Sequence, residues 1–362
     1  MKRLVILLTL LVTLANAKEG YELGDGIQIA SLPIYVGGYA SAQFKRTKNE
    51  VKYNIEDLAL LSYGNHRHLS YMAEVEYKNL YVEQTKNDIN LKEEDTRLYI
   101  ERLYLEYNFN ENFTARLGKY ISPIGFWNLL PINVLRDTTS DPVSTNIIFP
   151  EFTTGFYGAY TLINEDELKI DLMLQNNDSI DSKYNNYTIN KHYGIGITYS
   201  HNNFTSKLNL GYFNKLYRFI DEEYKKETES DEAENENENE SENDDEYVKN
   251  SLEEQMLYYL YLSLRYDNEK YQILSEFGHQ EAQSGPATNY AFYIQGLYRV
   301  AAKQSAIVRL EAYDDKVSST KDAFSVFAYT YRPTYPVALK AEYQLHAHSK
   351  FNKVLISLSV LF

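Results

Sequence analysis

The sequence predicts an all-β fold: a transmembrane antiparallel up-and-down β-barrel of sixteen strands, with fourteen to eighteen compatible with the pattern. Three observations predict it. Apolar residues recur at every second position through most of the chain, which places them on one face of a strand. Tight turn-rich connections alternate with longer polar ones, as inner turns alternate with outer loops in such barrels. There are 35 tyrosines among 362 residues, and a tyrosine ring with a wet hydroxyl suits the edge of an apolar band.

Residues 1–17 read as a signal peptide. Lys2 and Arg3 precede the apolar run 4–14, and Ala15-Asn16-Ala17 has the small-x-small form of a cleavage site. That run is too short to span a bilayer comfortably, and no later stretch reaches eighteen apolar residues. A bundle of membrane helices is thereby excluded. Residues 18–33 form a periplasmic lead-in, too short for a plug domain, and 34–362 form the barrel. The absence of cysteine rules out disulfides and thiolate chemistry. A mean hydropathy of −0.49 is compatible with a membrane wall, because only alternate residues meet lipid.

The strands are expected at 34–44, 53–63, 68–78, 97–109, 113–120, 155–163, 167–176 and 191–200, then at 204–217, 256–266, 270–279, 289–300, 304–313, 322–332, 336–346 and 353–362. Leu168/Ile170/Leu172/Leu174, Tyr258/Leu260/Leu262/Leu264/Tyr266 and Val337/Leu339/Ala341/Tyr343/Leu345 show the period most clearly. Even-numbered connections are short, such as Asn164-Glu165-Asp166 and His201-Asn202-Asn203. Most odd-numbered ones are longer: 79–96, 121–154, 177–190, 218–255, 280–288 and 314–321, with 45–52 and 347–352 modest. A sandwich has no reason to keep that parity, and an even strand count returns both termini to one side of the membrane.

Two connections stand apart. Residues 221–254 hold 17 acids and three lysines, a net of −14 against −15 for the whole chain. This composition is that of a solvated extracellular loop. No calcium-loop spacing is present, so no metal is assigned. Residues 121–154 are too apolar for an ordinary loop and contain Trp127 with Pro123, Pro131, Pro142 and Pro150. A long segment with apolar content of its own must pack on something. The lumen of a wide barrel offers that place, with Asn133, Arg136, Asp137, Thr138 and Asp141 as candidate constriction residues. Packing on the rim or on a neighbouring subunit is the alternative.

The last strand, KVLISLSVLF, places Val354, Ile356, Leu358, Val360 and Phe362 on one face. It resembles the closing strand of bacterial outer-membrane barrels, which implies recognition by the barrel-assembly machinery. With the sixteen strands and the stretch GKYISPIGFWN at 118–128, the chain resembles bacterial porins, in particular the phosphate-selective and related anion-porin group. That resemblance implies a homotrimer in outer-membrane lipid, the third loop folded inward, and selectivity set by inward bases. Candidate pore-lining bases are Arg102, Arg116, Lys169, Lys207, Arg265, Arg299, Arg309 and Lys340. They are accompanied by Glu74, Glu76, Glu106, Asp171, Glu276, Glu311 and Glu342. The near balance, and a third loop without a lysine cluster, depart from the phosphate-selective pattern and leave ion preference open.

A sixteen-strand barrel encloses water, so small hydrophilic solutes would cross by passive diffusion, without cofactor or catalytic step. The expected location is the outer membrane of a Gram-negative bacterium. An adhesin or other surface-binding barrel is the alternative from another class. A barrel enzyme is a third reading, for which His279, His346 and His348 are the candidate rim histidines, but no G-x-S-x-G motif is present. Neither a P-loop nor a dinucleotide fingerprint occurs, and the acidic balance gives nucleic-acid binding no support.

Overall fold

Backbone groups that face lipid must be satisfied within the protein, and a sheet that closes on itself leaves no open edge. The computed structural model describes residues 22–86, 89–93, 97–218, 252–284, 288–316 and 318–362. A two-residue stub, β1 (Ile27–Gln28), pairs with the first wall strand. The wall follows in chain order as β2 (Tyr35–Arg46), β3 (Glu50–His66), β4 (Leu69–Lys86), β5 (Ile89–Glu93), β6 (Leu98–Asn108), β7 (Phe113–Ile121), β8 (Phe152–Ile163) and β9 (Glu167–Asn176). It continues as β10 (Lys191–His201), β11 (Phe204–Arg218), β12 (Leu252–Asp267), β13 (Tyr271–Ala282) and β14 (Thr288–Ala301). The last four are β15 (Gln304–Asp315), β16 (Thr320–Tyr331), β17 (Val337–His346) and β18 (Lys353–Leu361).

All pairings are antiparallel. β5 and β6 share β4 as their partner, one at each end, and so complete a single position in the wall. The ring therefore has sixteen positions and closes where β18 meets β2, with Val354 opposite Arg46 and Leu361 opposite Tyr39.

The two faces of the wall are chemically opposite. In β17, Leu339, Ala341, Tyr343 and Leu345 are exposed, while Ala338, Lys340, Glu342 and Gln344 between them are buried. In β15, Leu310 is 50% exposed and its neighbour Arg309 is 0% exposed. This inverts the pattern of a water-soluble protein, where arginine is almost never fully buried, and it suits an exterior bathed in lipid. Tyrosines mark the edges of the apolar band. Tyr290 and Tyr298 of β14 are both exposed. Their spacing is about 27 Å of strand, which barrel tilt converts to roughly 21 Å of height, near the ~25 Å apolar band of outer-membrane barrels. Among the described residues, no helix is long and apolar enough to cross a membrane.

Three sequence expectations need correction. Residues 79–96 do not form a simple polar loop, because β4 runs on to Lys86 and pairs antiparallel with β5. Period-two reading stopped early because a bulge intervenes: Asp57 opposes Lys78 but Ile55 opposes Tyr81, and Asn79 has φ 51°. Residues added on one strand shift which face the next side chain takes. The lead-in 18–33 contains β1. The ends of the 218–255 connection are strand, with Arg218 opposite Leu252. Residues 1–21, which include the signal peptide, and 219–251, most of the acidic connection, lie outside the described residues.

Candidate functional site

The segment 122–151 between β7 and β8 lies against the polar face of the wall and is held there by charged side chains. Its base is closed by the Ser122 amide donating to Glu151 O at 2.8 Å and by the Ser122 and Thr153 hydroxyls at 2.8 Å. Gly125 has φ 69°, and a Cβ there would stand 2.8 Å from both Glu276 and Tyr261. Glycine thus allows the next amide, Phe126 N–H, to donate to Glu276 Oε1 at 2.5 Å. The short helix α1 (Val143–Ile147) begins after Pro142, with its first amide donating to Glu311 Oε2 at 2.9 Å. Thr139 and Ser140 amides donate to Glu342 Oε2 at 2.9 and 3.1 Å.

Carbonyls of the same segment meet cations. Lys340 donates to Asn133 O, to Asn133 Oδ1 at 2.7 Å and to Thr138 O at 3.2 Å. Arg309 reaches Thr138 Oγ1 at 2.8 Å and Ser140 O at 3.1 Å, while holding Glu311 at 2.6 Å. Lys207 donates to Gly125 O at 3.3 Å, and Arg332 reaches Val134 O and, at 2.9 Å, Arg136 O. An irregular segment cannot satisfy its own amides and carbonyls. Here acids of β13, β15 and β17 serve the amides, and bases serve the carbonyls. Each such bond to a charged group contributes about 1.5–3 kcal/mol, so the set fixes one conformation.

Trp127 completes the anchorage. It is 2% exposed, stands edge-on to Tyr293 with ring centroids 6.4 Å apart, lies 5.4 Å from the Arg309 guanidinium and donates to Asp141 Oδ1 at 3.2 Å.

Other sequence candidates are paired within the wall. Arg102 bonds Glu74, Arg116 bonds Glu106 and lies 4.2 Å from the Tyr104 ring, and Arg299 meets Asp267 at 3.0 Å. Lys169 lies over Tyr157, Arg265 lies over Phe126, and Asp171 is buried opposite Gly196. Asp137 stands 3.9 Å from Arg332, and burial pushes its carboxyl above the usual range against that neighbour's pull. Of the rim histidines, His346 stacks on Phe324 and bonds Asp322 at 2.7 Å, His348 lies edge-on to Phe351, and His279 stacks on Tyr290.

The anchors draw the segment toward β11, β13, β15 and β17, leaving a cavity of about 260 Å³ on the opposite side, against β2, β3, β4 and β6. From the candidate set, Asn133, Arg136, Asp141 and Glu76 border it. Arg136 pairs with Asp141 at 2.6 Å. On the wall side, Tyr39 and Tyr184 hydroxyls donate to Glu101 at 3.0 and 2.9 Å, and Tyr184 also reaches Glu76. Lys78 lies 3.9 Å from Asp57, 4.0 Å from Glu76 and 5.0 Å from the Tyr184 ring centre. Glu151 borders the cavity at the segment's end, where burial, and then the nearby Asp141 charge, raise its carboxyl to about 7.

Glu56, Asp57, Lys78, Glu101 and Glu151 are cavity residues that alternation did not single out. Glu101 shows why. Glu74 opposes Arg102 but Val75 opposes Ile100, so Glu101 is an extra residue in β6 and is buried beside the inward Arg102. Glu56 occupies the corresponding place in β3. Two consecutive charged residues, Glu56-Asp57 and Glu101-Arg102, inside an alternating strand were the available signal.

No family model matches the chain. It is 27% identical over 161 residues to an uncharacterized protein of Aquifex aeolicus, a match covering 40% of this chain and 35% of that protein, so it spans about a third of its relative's length. Three solved structures share the fold at low identity. OmpF of Salmonella typhi, in complex with daunomycin, superposes with TM-score 0.55 at 8% identity, over 91% of this chain and 97% of that one. The anion-selective porin of Comamonas acidovorans gives 0.53 at 10%, over 91% and 99%. The trimer form of OmpT, an outer membrane protein of Vibrio cholerae, gives 0.52 at 9%, over 91% and 99%. The fold is that of these outer-membrane barrels.

Proposed function

We propose that the chain is an outer-membrane porin of a Gram-negative bacterium, passing small hydrophilic solutes and ions by passive diffusion through a water-filled barrel narrowed by the segment 122–151. One observation carries this reading. The wall is apolar outside and polar inside, and the segment bonded to its polar face leaves a cavity bordered by charged groups. Movement through such a passage is driven by the solute gradient, and selection comes from width and from charge at close range. Asn133, Arg136 and Asp141 on the segment and Glu76 on the wall are the groups that meet the solute. Arg309, Lys340, Glu276, Glu311 and Glu342 act through the segment they hold. The alternating lipid-facing residues set the protein in the bilayer, and the last strand with Phe362 is the feature the assembly machinery would read.

The fold shared with the trimer form of OmpT supports assembly as a homotrimer. The decisive experiment is reconstitution of purified protein into planar bilayers. Steady conductance steps, together with uptake of neutral sugars by liposomes up to a size limit, are expected. A protein that inserts but neither conducts nor admits sugars overturns the reading and favours a surface-binding barrel.

A further inference from the structure

The inward acids and bases nearly balance in the sequence, but the structure does not distribute them evenly. Lys207, Arg309 and Lys340 are turned to the backbone of the segment 122–151. Arg102, Arg116 and Arg299 each hold a carboxylate elsewhere in the wall. Among the described residues, the cavity is left with Glu56, Asp57, Glu76, Glu101, Asp141 and Glu151 against Lys78 and Arg136. Arg136 is neutralised by Asp141 at 2.6 Å.

Lys78 is held differently. Its ammonium sits at the outer limit of ion pairing, 3.9 Å from Asp57 and 4.0 Å from Glu76, over the face of Tyr184 at 5.0 Å, with 45% of the side chain exposed. Two carboxylates and an aromatic face form surroundings suited to an ammonium group. Those surroundings are built by fixed partners: Ser41 donates to Asp57 at 2.6 Å, and Tyr184 bonds both Glu76 and Glu101. The lysine itself, on a flexible four-carbon stem, is the loosely held member.

We infer that this passage favours small cationic solutes, inorganic cations and alkylammonium ions, over anions, and that Lys78 moderates that preference. The inference rests on the porin reading. A passing cation takes the position between Asp57, Glu76 and Tyr184 that the Lys78 ammonium otherwise occupies, so the side chain competes with the solute and moderates the field of the surrounding carboxylates.

The test is the reversal potential of the full-length protein in a planar bilayer under gradients of potassium chloride and of methylammonium chloride. Both salts are expected to reverse on the cation side. Lys78→Gln raises the ratio of cation to anion permeability by roughly two- to fivefold, the effect of one unit charge a few ångströms from an ion in a hydrated passage. Lys78→Arg leaves the ratio near that of the unaltered protein, and Asp57→Asn lowers it, so the outcome does not depend on one variant folding. Reversal on the anion side, or a ratio that Lys78→Gln and Asp57→Asn leave unchanged, overturns this inference alone. Absence of conductance from every form removes the porin reading and this inference with it.

Discussion

The Gly38 amide donates to the Phe362 carbonyl at 2.7 Å, and the Phe362 amide returns the bond to the Gly38 carbonyl at 2.7 Å. This reciprocal pair is the final rung of the seam between β18 and β2. A Cβ on Gly38 would stand 2.7 Å from the Phe362 ring and press on the Ala59 carbonyl. Gly38→Val is therefore expected to destabilise the barrel by about 1–3 kcal/mol through overpacking. Deleting Phe362 forfeits two backbone bonds of about 1 kcal/mol each along with its ring contacts. Urea unfolding of protein refolded in micelles measures both. A midpoint equal to that of the unaltered chain would show that the seam does not depend on this rung.

Glu342 receives three bonds from the segment: the Thr139 and Ser140 amides and the Ser140 hydroxyl. Glu342→Ala leaves the buried Thr139 amide and the half-buried Ser140 amide without acceptors, at a local cost of about 2–5 kcal/mol. Trp127, the single tryptophan of the chain, lies in the same segment and reports on it. A red shift of its emission and noisier single-channel currents are expected, with a smaller change for Glu342→Gln. An emission spectrum unmoved by Glu342→Ala would mean that the segment is held by other contacts.

Glu151 supplies a pH dependence. Its carboxyl is raised to about 7 by burial and by Asp141, against the pull of Lys78 and Arg136, with Glu101 adding to the rise. A raised acid is ionised above that value and neutral below it. Acidification from about pH 8 to pH 6 thus removes negative charge from the cavity border, and the cation preference should weaken across that interval. Glu151→Gln should flatten this part of the profile. A step retained in Glu151→Gln would assign the titration to a different group.

Arg136 offers the opposite test. It is tied to Asp141 at 2.6 Å and donates through Nε to Leu130 O at 2.6 Å. Arg136→Glu and Arg136→Gln both remove a positive charge and free Asp141, and the first also adds a negative charge, so it should move the reversal potential further toward cations, on the order of tenfold against threefold in permeability ratio. Identical reversal potentials would take Arg136 out of the narrow part of the passage.

Much of the wall was legible in the sequence because a strand's faces are set by counting. The expected strand at 167–176 coincides with β9, and the other fifteen differ from the observed wall strands chiefly at their ends, most in the long β3–β4 hairpin. The site was less legible. Arg309, Lys340, Glu276, Glu311 and Glu342 face inward as alternation implies, yet their partners belong to a segment 150 to 207 residues distant in sequence. Whether a charged group faces water or a backbone carbonyl depends on that distant packing, and no local pattern encodes it.

The sequence by itself determined the closed sheet, a wall of about sixteen strands and its apolar exterior, because lipid contact imposes a period of two that each strand records independently. Only the tertiary structure decided where open space remains and which charges border it. Bulges that turn Glu56 and Glu101 toward the cavity are features of register between neighbouring strands, and the segment 122–151 takes its position from partners spread over β11 to β18. Register and long-range pairing are settled when the ring closes, and that is also when the inward charges are divided between those that hold the segment and those left facing the passage.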